Sequence, residues 1–114
     1  MVRVLVTVEP RMYREAIALA VHRNRPQAEV MLVPADVLDG QVEAFAPHVL
    51  VRNDSDRAVP EGLLGSSVVC RMEVLYTDGM AARVSVGGSS YRIEDATMED
   101  LLALVDKAEE QVSG

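Results

Sequence analysis

The side chains able to do chemistry are few and scattered. The chain has two histidines, His22 and His48, and one cysteine, Cys70, with no cysteine or carboxylate at recognisable metal spacing to either imidazole. Both histidines read as surface or structural groups. Cys70 lies between Val69 and Arg71 in a segment that begins apolar, where a thiol packs as a small hydrophobe, and no activating signature surrounds it. Gly87-Gly88-Ser89-Ser90 could turn backbone N–H groups toward an anion, but the lysine and helix start of a phosphate-binding loop are missing, so the segment reads as a turn. Glu9, Asp54, Asp56 and Glu94 could converge at one rim of a sheet and hold a cation loosely. Met12, Met31, Met72, Met80 and Met98 are spread along the chain, which suits core filling or an adaptable interface. No nucleophile, base and orienting group can be assembled from these residues, so the expectation is a protein without catalysis, metal or cofactor.

The elements that must position these groups follow from hydropathy patterning. Val2 to Val8 is a nearly continuous apolar run, as in a strand buried on both faces of a parallel sheet. Pro10 suits a helix start, and Tyr13, Ile17, Ala20 and Val21 fall on one stripe at helical spacing, with Arg11, Arg14 and Glu15 elsewhere. Ala28 to Val33 reads as a second strand, and Asp36 can cap a weaker helix with Leu38, Val42 and Phe45 as its stripe, weakened by Gly40. After Pro47, His48 to Arg52 is a third strand, followed by the loop chemistry of Asn53 to Arg57. Val59 to Gly65 contains Pro60, Gly62 and Gly65 and is too broken for a full crossover helix. Val68 to Tyr76 and Ala82 to Val86 alternate around a Thr77-Asp78-Gly79 turn, which predicts a β-hairpin at about 68–86. Tyr91 to Ile93 is a last short strand. Thr97 then opens a helix with Asp100 in near capping-box position and a stripe of Leu101, Leu104, Val105, Ala108 and Val112.

Composition bounds the class. A chain of 114 residues with 49% hydrophobic and 25% charged residues can bury one core, so residues 1–114 form a single domain. The net charge of −7 disfavours nucleic acid as a partner. The balance is −1 over residues 1–57 and −6 over residues 58–114, mostly from acidic residues around the last helix, which reads as a solvated face. No apolar run approaches the roughly 20 residues that span a bilayer, and the N-terminus enters a strand without a signal-peptide pattern. The expected location is the cytoplasm, with no membrane partner.

Two segments carry a resemblance. Val4-Leu5-Val6-Thr7-Val8-Glu9-Pro10, followed by Tyr13-Arg14-Glu15-Ala16, and Ser90-Tyr91-Arg92-Ile93-Glu94-Asp95-Ala96-Thr97, followed by Met98-Glu99-Asp100-Leu101-Leu102, resemble the first and last strand-helix units of receiver domains from bacterial two-component response regulators. Pro47-His48-Val49-Leu50-Val51 fits the third strand. The resemblance implies an α/β fold, a flavodoxin-like, receiver-like three-layer sandwich with a mostly parallel sheet, here with its later crossover helices shortened. It also implies that the family's chemistry is lost. The acidic pair that holds magnesium falls on Thr7 and Val8, the phosphoacceptor aspartate on Asn53, and the phosphate-pairing lysine on Glu94. Asp54 is adjacent to the acceptor position but points elsewhere in an alternating strand.

The functional expectation is therefore a degenerate receiver, a non-enzymatic regulatory or scaffolding module acting through contact with a protein partner. The alternative is a small-molecule sensor using a rim of Glu9, Asn53, Asp54 and Glu94. Broken crossovers leave one sheet face short of cover, and apolar Met72, Val74, Tyr76, Val84 and Val86 on one side of the hairpin suggest a homodimer built there. The sequence stops just past the last helix, so no output domain is expected and a signal would pass through a separate molecule.

Overall fold

The computed structural model describes residues 2–8, 11–33, 45–53, 68–74, 81–87 and 89–113. Six strands form one sheet: β1 (Arg3–Val6), β2 (Glu29–Leu32), β3 (Val49–Asn53), β4 (Cys70–Val74), β5 (Ala82–Val86) and β6 (Ser89–Ile93). Helix α1 (Arg11–Asn24) lies between β1 and β2 in the chain, and α2 (Met98–Ser113) follows β6. Across the sheet the order is β2-β1-β3-β4-β5-β6. β1 pairs in parallel with β2 and β3, and β3 with β4. β5 pairs antiparallel with both β4 and β6. Five strands thus run one way, and β5 runs against them.

This corrects the expected flavodoxin-like sandwich. The sheet is mixed, with two antiparallel pairs, and both described helices pack on one face instead of flanking it. Connection length is the cause. A parallel crossover needs about a dozen residues or more, and the stretches from Val74 to Ala82 and from Val86 to Ser89 are too short for one, so each reverses the chain. At the second reversal Gly87 has φ +60°, with no heavy atom close to where a Cβ would sit. Backbone conformation, not space, calls for glycine there. Ser89 and Ser90, expected in the turn, are already in β6 opposite Val86 and Ser85.

Val4, Val6, Val49, Val51, Cys70, Met72, Ala82 and Val84 share one sheet face and form the main core with α1 and α2. Leu5 and Leu50 point to the other face and are equally buried, with Met31, Val33 and Val68 against them. β1 and β3 are therefore enclosed on both faces, as their unbroken apolar runs require. β4 and β5 alternate apolar and polar residues, and their polar side lies opposite the core.

In α1 the buried residues are Arg14, Ala18 and Val21, with Ile17 partly buried against the core, while Tyr13 is half exposed. The buried stripe is rotated from the expected one because Arg14 lays its stem inward and its Nη1 donates to the Val8 carbonyl at 3.5 Å. In α2, Leu101, Leu104, Val105 and Ala108 are buried as expected, joined by Leu102, while Val112 stays partly exposed. The Thr97 backbone N–H donates to Asp100 Oδ2 at 2.8 Å, and the Thr97 hydroxyl lies 3.2 Å from the same oxygen. This side-chain cap fixes where α2 begins.

Two polar ties hold α2 to its surroundings. Glu109 Oε2 accepts the Val2 backbone N–H at 3.1 Å, and Arg25 donates twice to Asp106, at 2.7 and 2.8 Å. The hydrogen bond from Arg25 holds the Asp106 carboxyl below the usual carboxylate range, although the pair is solvent-exposed and contributes little to stability. Among the described residues no helix is long and apolar enough to cross a membrane.

His48 is structural. Its Nδ1 accepts the Arg3 backbone N–H at 3.0 Å, its Nε2 lies 3.2 Å from Arg3 Nη2, and Arg3 Nε donates to the Ala46 carbonyl at 3.0 Å. Burial, and then the Arg3 charge, push the His48 pKa down. A second ring proton would remove the acceptor for the Arg3 N–H and set two cations in contact. The unfolded chain takes up that proton more readily than the folded one, so stability is expected to fall as pH drops below about 6.5. Urea unfolding at a series of pH values checks this, with His48→Gln expected to flatten the profile between about pH 7 and 5. Equal slopes for the two proteins would refute the assignment.

Candidate functional site

Open sheets place their sites at the C-terminal ends of parallel strands. At that rim the structure sets Thr7, just beyond β1, beside β3: its N–H donates to the Val51 carbonyl at 2.9 Å, and its hydroxyl lies 3.4 Å from the same oxygen. Thr7 and Val8 are fully buried, and Asn53, the last residue of β3, is 6% exposed. These positions present no carboxylate. Asn53, Val74, Ala82 and Ile93 form one register row across β3, β4, β5 and β6. With strands about 4.8 Å apart, Glu94, one residue past that row, is three strand spacings from Asn53, about 14 Å. The reversed strand β5 carries it outward. There Glu94 is exposed and paired with Arg92 Nε at 2.7 Å. Asn53 and Glu94 therefore do not meet in one pocket, and Glu9 and Asp54, the other two members of the expected rim, lie outside the described residues.

The remaining candidates are quiet or already occupied. Cys70 is fully buried, and burial pushes its thiol pKa up against the opposing charge of Lys107. That is the opposite of a reactive thiolate. Among the described residues no group of three or more His, Cys, Asp or Glu is placed to hold a metal ion. The hairpin residues Met72 and Val84 stand opposite each other and are buried in the chain's own core, with Val74 and Val86 partly buried against it. Tyr76 lies outside the described residues. The described apolar residues of the β4–β5 pair thus pack against the chain's own core.

The polar side chains of the same strands gather on the opposite face of the sheet. Arg52, Glu73, Arg83 and Arg92 are cross-strand neighbours in one row through β3, β4, β5 and β6. The next row on that face runs Leu50, Arg71, Ser85, Ser90. Glu73 reaches Arg83 at 3.7 Å, while the side chains of Arg83 and Arg92 remain 54% and 45% exposed. Nε of Arg52 is buried with no hydrogen-bond acceptor among the described residues. Arg83 stands directly opposite Arg92, and each has a carboxylate of the chain beside it, Glu73 at 3.7 Å and Glu94 at 2.7 Å. The alternation of β4 and β5 signals this face in the sequence, but only the register brings the arginines of four strands together.

No protein-family model matches the chain, and neither a curated protein nor a solved structure shows significant similarity to it.

Proposed function

We propose that the chain is a non-enzymatic regulatory or scaffolding module, similar to a response-regulator receiver that no longer takes up phosphate, and that it works in the cytoplasm by contact with another protein. The observation that carries this is the rim, where Thr7 and Val8 are buried without charge and the amide of Asn53 stands at the end of the third strand. Phosphoryl transfer to a carboxylate needs a cation held by acidic oxygens and a compensating positive charge beside the acceptor. Glu94 has the wrong sign and stands about 14 Å away, three strand spacings along the sheet. The parallel order β2-β1-β3, over the N-terminal stretch of the resemblance, also supports this reading.

Incubation with acetyl phosphate and magnesium, followed by intact mass measurement, tests it. The expected result is an unchanged mass. A stoichiometric phosphate adduct would overturn the proposal.

A further inference from the structure

The two edges of the sheet are unlike. β6 ends one side with Ser89, Ser90 and the exposed Arg92–Glu94 ion pair, polar and charged groups of the kind that discourage a further strand. β2 ends the other side with Val30, Met31 and Leu32, and its one charged residue is Glu29, at its start. Hydrogen bonds fix which backbone groups of β2 face outward. The Glu29 N–H donates to the Val2 carbonyl at 2.9 Å and the Val33 N–H to the Val6 carbonyl at 3.2 Å, so residues 29, 31 and 33 turn their backbone groups toward β1. Val30 and Leu32 turn theirs to the edge, where the described residues place no further strand. Leu32 is 42% exposed there. We propose that this edge pairs with the same edge of a second copy, β2 antiparallel to β2 about a two-fold axis at Met31, so that two six-stranded sheets become one.

The register argues for that occupant. With the axis at Met31, Val30 of each copy stands opposite Leu32 of the other, and the two outward N–H groups and two outward carbonyls of each strand all find partners. The side chains agree with the backbone. Val30 packs against the main core and Leu32 lies on the same side of the strand, so this pairing carries the core across the axis. On the other face Met31, packed against Leu5 and Leu50, meets its own counterpart. Glu29 of each copy falls opposite Val33 of the other, which keeps the two carboxylates about 13 Å apart along the strands. The joined sheet ends in two β6 edges, whose polar residues stop further addition. The inference does not rest on the reading of the rim.

Light scattering of the whole chain at micromolar concentration tests it, with twice the mass of one chain as the expected result. Leu32→Pro removes an outward N–H without breaking a bond to β1, a position where an edge strand tolerates proline. It is expected to give a monomer with an unchanged circular dichroism spectrum. Leu32→Lys, which keeps the backbone intact should the proline disturb β2, is expected to weaken dimerisation at least roughly tenfold. Ser90→Lys, on the opposite edge, is expected to leave the mass unchanged. Residues facing each other across the axis come within disulfide range, so Met31→Cys is expected to give a covalent dimer on mild oxidation. Glu29→Cys, displaced from its counterpart, should cross-link far less, and the buried Cys70 of the wild type not at all. A monomeric wild type, a dimer that persists in both Leu32 variants, or equal cross-linking of the two cysteine variants would overturn the assignment. A phosphate adduct on the chain would sink the receiver-like reading and leave this interface standing, whereas a monomer would remove the interface and leave the unmodified mass unaffected.

Discussion

Leu50→Ala is expected to lower the free energy of unfolding by about 2–5 kcal/mol. Leu50 is fully buried in β3, directly opposite the equally buried Leu5 of β1. The two form a small cluster of their own on the face away from α1 and α2. Truncation removes the transfer energy of the lost methyl groups and leaves a cavity in which few neighbouring side chains can collapse. A domain of this kind is stable by about 5–15 kcal/mol in total, so the loss is a large share. Leu5→Ala should cost a similar amount, and the double variant less than the sum, because both truncations open the same space. Urea unfolding monitored by circular dichroism measures all three. A loss below about 1 kcal/mol for Leu50→Ala would mean that the cluster does not support the sheet.

The second large effect is expected from Asn53→Asp, the substitution that restores a carboxylate to the position matching a phosphoacceptor. Asn53 is buried beside β4, in register with Val74, and the neighbouring rim residues Thr7 and Val8 supply no carboxylate to share a cation with it. A carboxylate buried there is desolvated, which disfavours its charged form and raises its pKa in the folded state above the unfolded value. The sign follows. The folded variant holds its proton more tightly than the unfolded chain does, so its penalty is smallest at acid pH and grows as pH rises through the folded pKa. At neutral pH the expected cost is about 2 kcal/mol or more. Adding magnesium should not restore stability, and acetyl phosphate should not modify the variant. Unfolding of Asn53→Asp and the wild type at matched pH values, with and without magnesium, checks the prediction. An increase in stability on adding magnesium would show a cation site and contradict the account of the rim.

Much of the local structure was legible in the sequence because it is written in short-range chemistry. The unbroken apolar run around Leu5 marks a strand enclosed on both sides, Thr97 and Asp100 mark the start of α2, and the alternation from Met72 to Val86 marks two half-buried strands. The architecture was less legible, because direction and order depend on connection lengths and on pairing between distant segments. The alternation does not say what covers the apolar side of the pair, and only the packing of α2 shows Met72 and Val84 buried in the chain's own core. Arg14 shows the converse difficulty. Its charge places it on the wet side of a helical wheel, yet its long stem and a carbonyl at the end of β1 bring it inside. Thr7, Val8 and Asn53 carry no charge in any fold, whereas the separation of Glu94 from Asn53 could not be read, because the order in which strands pair across a sheet leaves no signature in residue type. The row of Arg52, Glu73, Arg83 and Arg92 was missed for a related reason: net charge averages over the whole chain, while strand register sets which charged side chains are neighbours.

The reversal at β5 also bears on how the sheet comes together in time. β4, β5 and β6 each pair with a neighbour in the chain, so their contacts close short loops and cost little entropy. β1 meets β3 only when Val4 finds Val49, across a much longer span. The C-terminal meander can therefore form early and offer β4 as a template, while the parallel half waits for the slower search.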